Sequence, residues 1–173
     1  KAMDMISKKE IAYKVSSEIY ALMQCLDIMF LKINVAIGGT DQRKIHVMAR
    51  EYLGKLNYNK PVAIHTPIIL GIDGKMKMSK SHNNAIFLDD RPEQVAHKIK
   101  MAYCPEGSAE RNPIFDIVRY IILVWKGSLE IGGVPYYNMS SILREWVERK
   151  ITAKELKKAV TEALIQILEK IQK

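Results

Sequence analysis

Lys77-Met78-Ser79-Lys80-Ser81 packs two lysines and two hydroxyls into five residues, shortly after the turn-forming run Gly71-Ile72-Asp73-Gly74. Loops held by a rigid scaffold are frequent carriers of function. Lysine supplies point charge, and serine hydroxyls and backbone N–H groups supply hydrogen bonds, so a polyphosphate is the ligand such a loop suits. When pyrophosphate leaves the α-phosphorus of ATP, negative charge builds on the leaving group and in-line oxygens. That chemistry needs positioning and positive charge more than acid–base groups. Lys77 and Lys80 fit that need, and no Ser/His/Asp or Cys/His set stands out beside them. The same five residues also read as a solvated surface loop.

Two further groupings invite chemistry. Tyr20, Gln24 and Asp27 stand at i, i+4 and i+7 in a helical pattern, which puts them within a stripe about 60° wide. Their neighbours are mostly apolar, and a carboxylate buried there costs several kcal/mol unless it is paired or hydrogen-bonded. The stripe reads either as a pocket wall offering a hydroxyl, an amide and a carboxylate to a ligand with an ammonium or phenol, or as a face turned to water. In Gly38-Gly39-Thr40-Asp41-Gln42, glycines at a strand end allow a ligand close to the backbone. The helix start that follows offers free N–H groups. Asp41 suits two ribose hydroxyls, as an acid does in dinucleotide sites; a plain turn with an Asp cap is the alternative.

The elements that must position these groups follow from periodicity. Residues 10–30 repeat apolar positions (Ile11, Val15, Ile19, Leu22, Met23, Leu26, Met29, Phe30) at helical spacing. Residues 33–37 and 61–64 read as buried strands around a helix with Ile45, Met48, Ala49, Tyr52 and Leu53 on its apolar face, capped by Thr40 or Asp41. A brief strand is expected at 85–88. Strand, helix, strand in that order indicates part of a parallel α/β sheet. Beyond residue 100 the pattern is helical. Pro92 opens a helix on Val95, Ile99 and Ala102, and Asn112 caps one on Ile114, Ile117, Val118, Ile121 and Ile122. Gly127 to Pro135 is a loop or hairpin, and Asn138 or Ser140 opens a helix with Ile142, Leu143, Trp146 and Val147. Thr152 and Glu155 form a capping-box pattern ahead of Leu156, Val160, Ala163, Leu164, Ile167, Leu168 and Ile171.

Composition narrows the class. Twenty-seven basic against 19 acidic residues give a formal charge of +8, which favours an anionic partner such as nucleic acid or nucleotide. The two cysteines, Cys25 and Cys104, are far apart and make no disulfide framework, which points to a reducing compartment. The four histidines have no metal-ligand spacing with them, so no metal site is expected. No apolar run of membrane-spanning length and no signal-peptide pattern is present, so a cytoplasmic protein with no membrane partner is expected. The chain opens on Lys1-Ala2-Met3-Asp4 with no initiator methionine, and it reads as a piece of something longer.

Together, Tyr20-x3-Gln24-x2-Asp27, Gly38-Gly39-Thr40-Asp41-Gln42-Arg43-Lys44 and the Lys77–Ser81 loop resemble the tyrosyl-tRNA synthetases. The loop resembles the second signature motif of class I aminoacyl-tRNA synthetases, and the Gln42-Arg43-Lys44 version resembles the archaeal and eukaryotic branch. The resemblance covers essentially all 173 residues, including Ala102-Tyr103-Cys104-Pro105 and the last helix. It implies the second half of a Rossmann-like parallel-sheet catalytic domain over 1–100 and an all-helical anticodon-binding region over 101–173. It implies a cytoplasmic, homodimeric tyrosine–tRNA ligase that activates tyrosine with ATP and Mg2+, then transfers it to tRNA(Tyr).

The roles implied by the resemblance are these. Tyr20 and Gln24 hold the tyrosine ammonium, Asp27 accepts from the phenol hydroxyl, and Gln42 contacts the amino-acid end. Gly38, Gly39 and Asp41 lie at the ATP ribose. Lys77, Met78, Ser79, Lys80 and Ser81 hold the pyrophosphate, with Lys77 and Lys80 catalytic. Arg43 and Lys44 approach the tRNA acceptor end, and Glu155 takes the place of a usual Asp in the anticodon region. The chain departs from the family at Ala21, where a proline is usual, and at Thr152-Ala153-Lys154-Glu155, where His-Pro-x-Asp is usual. No histidine here begins the His-x-Gly-His motif of class I synthetases. The expectation is a piece that does not complete an ATP site and is inactive alone. A tryptophanyl synthetase, or a non-catalytic tRNA-binding or regulatory remnant, are the other readings.

Overall fold

The structure, a computed structural model, describes residues 15–173, which form two compact units dividing after Ile68. In the first unit, helix α1 (Val15–Phe30) leads to strand β1 (Val35–Gly39), a 3-10 turn (Thr40–Gln42), helix α2 (Arg43–Lys55) and strand β2 (Val62–Thr66). The strands pair in parallel, with Val35 opposite Val62 and Gly39 opposite Thr66. This is the expected strand–helix–strand order. The part of the first expected helix that precedes Val15 lies outside the described residues.

Both strands start later than periodicity suggested. Ile33 is held by α1 instead: Lys32 has a positive φ of 52°, its N–H donates to Met29 O (3.1 Å), and Ile33 N–H donates to Ile28 O (3.0 Å). Those bonds are a Schellman ending, which consumes the first β-branched residue of the run. Neither strand is buried as expected. Side chains alternate, so Ala36 is buried while Val35, Ile37, Val62 and Ile64 are exposed.

α1 also differs from expectation. It buries Ala21, Cys25 and Ile28, at i, i+4 and i+7, against Ile45, Ala49 and Leu53 of α2. Val15, Ile19, Leu22, Met23, Leu26 and Phe30, the anticipated core face, are exposed, as is Tyr52 on α2. A helix apolar on almost every side gives period-based reading no way to choose its buried face.

The second unit contains α3 (Pro92–Met101), α4 (Pro113–Ile117), a π segment (Val118–Ile122), α5 (Leu123–Lys126), the hairpin β3 (Leu129–Ile131) and β4 (Val134–Tyr136), α6 (Met139–Val147) and α7 (Ala153–Ile171). The start signals hold. Asn112 accepts from Ile114 N–H, Asn138 accepts from Ser141 N–H, and Thr152 and Glu155 make the reciprocal capping box. Gly132 and Gly133 join the hairpin with φ of 60° and 84°, a two-residue turn that needs positive φ twice. The core gathers Val95, Ile99, Ile114, Ile117, Val118, Ile122, Ile142 and Trp146 around Leu156, Val160 and Leu164 of α7. Ile171 and Val147, expected inside, are exposed.

The strand expected at 85–88 does not form. Phe87 N–H donates to Asp90 Oδ2 (2.7 Å) and Asp90 N–H to Phe87 O (3.2 Å), which bends the backbone into a turn. Lys157 Nζ donates to the carbonyls of Lys100 (2.9 Å) and Ala102 (2.7 Å), closing the C-terminal end of α3 from α7.

Candidate functional site

The polar stripe of α1 lies beside its buried face. Tyr20 is 59% exposed, Asp27 is exposed, and Gln24 is half-buried. The buried carboxylate considered from sequence is therefore a solvent-facing one in this structure. Gln24 is different, because its Oε1 is buried and has no hydrogen-bond partner among the described residues. A buried acceptor without a donor costs about 1–3 kcal/mol. It stands one turn from Tyr20 and just under one turn from Asp27, where a donor such as an ammonium would satisfy it.

The glycine turn follows β1. An added Cβ on Gly38 would come 3.1 Å from Gln42 Cβ and 3.2 Å from His46 Cε1, and one on Gly39 would come 2.6 Å from Asp41 Oδ1. Glycine here lets the strand end pack directly against Gln42, His46 and Asp41 of the same chain. Neither Thr40 nor Asp41 caps a helix. Gly39 precedes the 3-10 turn and Gln42 precedes α2, neither with a side-chain cap bond. The Asp41 side chain is exposed at this turn, and Arg43 and Lys44 stand exposed at the start of α2. Their charge adds to the positive end of the helix dipole.

Beneath the turn, a residue pair not anticipated from sequence comes together. His46 Nδ1 and His65 Nε2 are 3.1 Å apart, with ring centroids 5.1 Å apart. His46 is 3% exposed, and burial, then the charge of His65, holds it below the ordinary histidine range. Nineteen positions separate the two residues, so no local spacing could reveal the pair.

In the second unit, the lysine loop is a narrow hairpin-like excursion. Gly71 N–H donates to Met76 O (2.6 Å) and Met78 N–H to Ile69 O (3.1 Å), with an antiparallel bridge between Leu70 and Lys77. Leu70 N–H also donates to Asp116 Oδ2 (3.1 Å), and Tyr103 N–H to Ile72 O (2.7 Å). Arg111 donates to Lys75 O. Met78 packs towards the core, while the side chains of Lys77 and Lys80 are exposed. Ser79 Oγ and Ser81 Oγ are 2.9 Å apart. After Ser79 the backbone enters a 3-10 turn (Lys80–His82) and a left-handed Asn83, φ 48°. Two hydroxyls and two cations thus crown a base fixed to the helical core. Asp73 beside them is held below the usual carboxylate range, first by the N–H of Lys75, with the Asn84 amide also contributing.

Glu155 serves as the capping acid of α7. Its carboxylate accepts from Thr152 N–H (2.9 Å) and Oγ1 (2.7 Å), bonds that lower its pKa. It also lines an open cleft of about 610 Å³ between the β3–β4 hairpin and α7, together with Glu130, Gly132, Gly133, Lys158 and Glu162.

The family described as tRNA synthetases class I (W and Y) matches residues 1–169. The chain belongs to this family. Among its relatives, the tyrosine–tRNA ligases of Methanopyrus kandleri and Archaeoglobus fulgidus are each 42% identical over the whole of this chain, which spans 56% and 55% of their lengths. The A. fulgidus tyrosyl-tRNA synthetase crystallised with L-tyrosine superposes with a TM-score of 0.80 at 43% identity, covering 97% of this chain and 55% of that one. The tyrosyl-tRNA synthetase of Pyrococcus horikoshii, also complexed with L-tyrosine, gives 0.83 at 32% identity, covering 98% of this chain and 56% of that one. The chain thus spans about half the length of the relatives it matches. The α/β class and the resemblance to tyrosyl-tRNA synthetases hold; in this chain the Tyr20/Gln24/Asp27 stripe and the glycine turn belong to the first unit, the lysine loop and Glu155 to the second.

Proposed function

We propose that this chain is part of a tyrosine–tRNA ligase, in which residues 1–100 contribute to the catalytic domain and residues 101–173 to the anticodon-binding region. The observation that carries the reading is the buried Gln24 Oε1, without a hydrogen-bond partner among the described residues, in the stripe it shares with Tyr20 and Asp27. An α-ammonium donates to Tyr20 Oη and Gln24 Oε1, and a phenol hydroxyl donates to Asp27. Gln42 contacts the amino-acid end. Gly38, Gly39 and Asp41 receive the ribose of ATP, brought in with Mg2+.

The tyrosine carboxylate attacks the α-phosphorus, and the bond to pyrophosphate breaks as the new acyl–phosphate bond forms. Lys77 and Lys80, with the N–H groups and hydroxyls from Met78 to Ser81, stabilise the charge that gathers on the departing pyrophosphate. A ribose hydroxyl at the tRNA 3′ end then attacks the carbonyl carbon of the adenylate, the acyl–phosphate bond breaks, and AMP leaves as the ester forms. Arg43 and Lys44 meet acceptor-end phosphates, and Glu155 meets the anticodon region. The protein acts in the cytoplasm as a homodimer; among the described residues no helix is long and apolar enough to cross a membrane.

Tyrosine-dependent ATP–pyrophosphate exchange tests the reading. In the protein as encoded, Lys77→Ala and Lys80→Ala should each lower kcat by more than they weaken tyrosine binding, since each charge matters mainly in the transition state. Losses confined to tyrosine affinity would mean that the lysines only shape a pocket. Exchange with tryptophan instead of tyrosine would move the protein to the other branch of its family. Absence of exchange with either, beside salt-sensitive tRNA binding, would favour a non-catalytic tRNA-binding role.

A further inference from the structure

Asn84 follows the lysine loop, and nothing in its local sequence distinguishes it from Asn83. Its side chain is nevertheless the most heavily used polar group of the segment. It is 3% exposed. Its Oδ1 accepts from Ser79 N–H (2.8 Å), and its Nδ2 donates to Asp73 Oδ1 (3.2 Å) and, more weakly, to Lys77 O (3.4 Å). Its own carbonyl accepts from Ile72 N–H (2.9 Å). One residue thus ties the arm before the loop (Ile72, Asp73) to the loop itself (Lys77, Ser79).

The partners fix the orientation of the amide, because Ser79 N–H can only donate and the Asp73 carboxylate can only accept. Gly71 makes room for it: a Cβ there would stand 2.1 Å from Asn84 Nδ2. No other side chain of this size offers an acceptor and two donors. Aspartate loses both donors and brings a second carboxylate against Asp73, and leucine leaves Ser79 N–H without its partner.

We infer that Asn84 is a positioning residue for the lysine loop, holding the Lys77 carbonyl and the Ser79 amide in register against Asp73 so that Lys77, Ser79 and Lys80 meet a leaving pyrophosphate in one arrangement. This rests on the function proposed above, and it extends that function to a residue which touches no substrate. A group displaced by about 1 Å in such a site loses roughly 100-fold in rate, whereas amino-acid binding elsewhere is untouched.

The test uses the protein as encoded, with Asn84→Asp, Asn84→Ser, Asp73→Asn and the exchanged pair Asp73→Asn/Asn84→Asp. Two quantities are read: hydrogen exchange of the amides in residues 77–84, and the kcat and tyrosine KM of ATP–pyrophosphate exchange. Asn84→Asp and Asn84→Ser should each speed loop amide exchange and lower kcat by about 10-fold or more, with tyrosine KM within about threefold. Asp73→Asn alone should change little, since its amide oxygen still accepts from both Asn84 and Lys75. The exchanged pair removes the carboxylate–carboxylate repulsion and again sets a donor against an acceptor. Asp73 Oδ1 also accepts from Lys75 N–H (3.2 Å), a bond the new amide nitrogen cannot make, so the pair should recover part of both losses. The Asn84→Asp loss should also shrink as pH falls, because two carboxyls at this distance come to share a proton.

Unchanged loop exchange in both Asn84 variants would overturn the inference, as would an exchanged pair no better than Asn84→Asp alone. If the unaltered protein shows no tyrosine-dependent exchange, the functional reading has failed. The amide-exchange readings and their recovery in the exchanged pair then decide the role of Asn84 in the loop by themselves.

Discussion

Removing Lys98 should unseat the turn that replaces the expected third strand. Lys98 Nζ donates to Asp90 Oδ1 (2.8 Å) and Oδ2 (2.6 Å) and lies 4.4 Å from the centre of the Phe87 ring. The Lys98 side chain is 17% exposed and that of Asp90 5%. Lys98→Met keeps the aliphatic stem but leaves the Asp90 carboxylate buried with Phe87 N–H as its remaining side-chain partner among those described. Breaking one side of a buried pair costs about 3–5 kcal/mol, and the partial access of water to Lys98 puts this case near 3.

At about 2–4 °C per kcal/mol for a chain of this size, Tm should fall by about 6–12 °C. Asp90→Asn retains an acceptor for Phe87 N–H and lets the ammonium turn towards water, so about 1–2 kcal/mol is expected. The double variant removes both charges and should lose no more than about 2 kcal/mol, well short of the sum. Urea unfolding of the four proteins gives the coupling energy directly, and about 2 kcal/mol or more is expected. Strict additivity would show that the pair is a contact without mutual stabilisation, and would refute the reasoning that Lys98 holds the Asp90 turn in place.

Asp27→Ala should collapse the preference for tyrosine over phenylalanine in kcat/KM, since a site built around a hydroxyl can reject its absence by up to about 10⁵; an unchanged ratio would remove Asp27 from that role. The His46–His65 pair should make stability pH-dependent. The folded pKa of His46 lies below its unfolded value of about 6.5, so the unfolded state binds the extra proton first and stability falls as pH drops below about 6.5. Urea midpoints between pH 7.5 and 5 should show that loss, and His46→Gln should flatten it; an equal slope in the variant would assign the dependence to other groups.

How much of this could be read from the residues depends on how local the cause is. Asn112, Asn138 and the Thr152/Glu155 box cap helices through bonds spanning two or three positions, and all three were legible. The hairpin lies around the stretch Gly127 to Pro135, read from its glycines as a loop or hairpin, with the turn itself at Gly132-Gly133. The buried face of α1 was not legible, because the helix is apolar nearly all round and only the packing of α2 selects Ala21, Cys25 and Ile28. The late start of β1 was hidden in the Schellman bonds of Lys32 and Ile33, and the missing strand in a turn closed by Asp90. In the candidate site, residue types and spacing exposed the stripe, the glycine turn and the lysines. Asn84 and the histidine pair escaped, since their meaning lies in partners fixed by tertiary structure.

The placement of α7 at the centre of the second unit has a consequence for the order of events during synthesis. Leu156, Val160, Leu164, Ile167 and Leu168 are core residues, Lys157 closes the end of α3, and Gln172 Nε2 donates to the carbonyls of Leu88 (2.6 Å) and Asp90 (3.1 Å). The elements described in the first unit are all translated by Ile68. The second has none of its final core helix until the ribosome passes residue 153, and at about 5–20 residues per second that is a wait of several seconds or more. Throughout that interval Val95, Ile99, Ile114 and Ile122 are translated without the surface that covers them, so the nascent segment 69–152 is where a chaperone binding apolar chain would engage this protein.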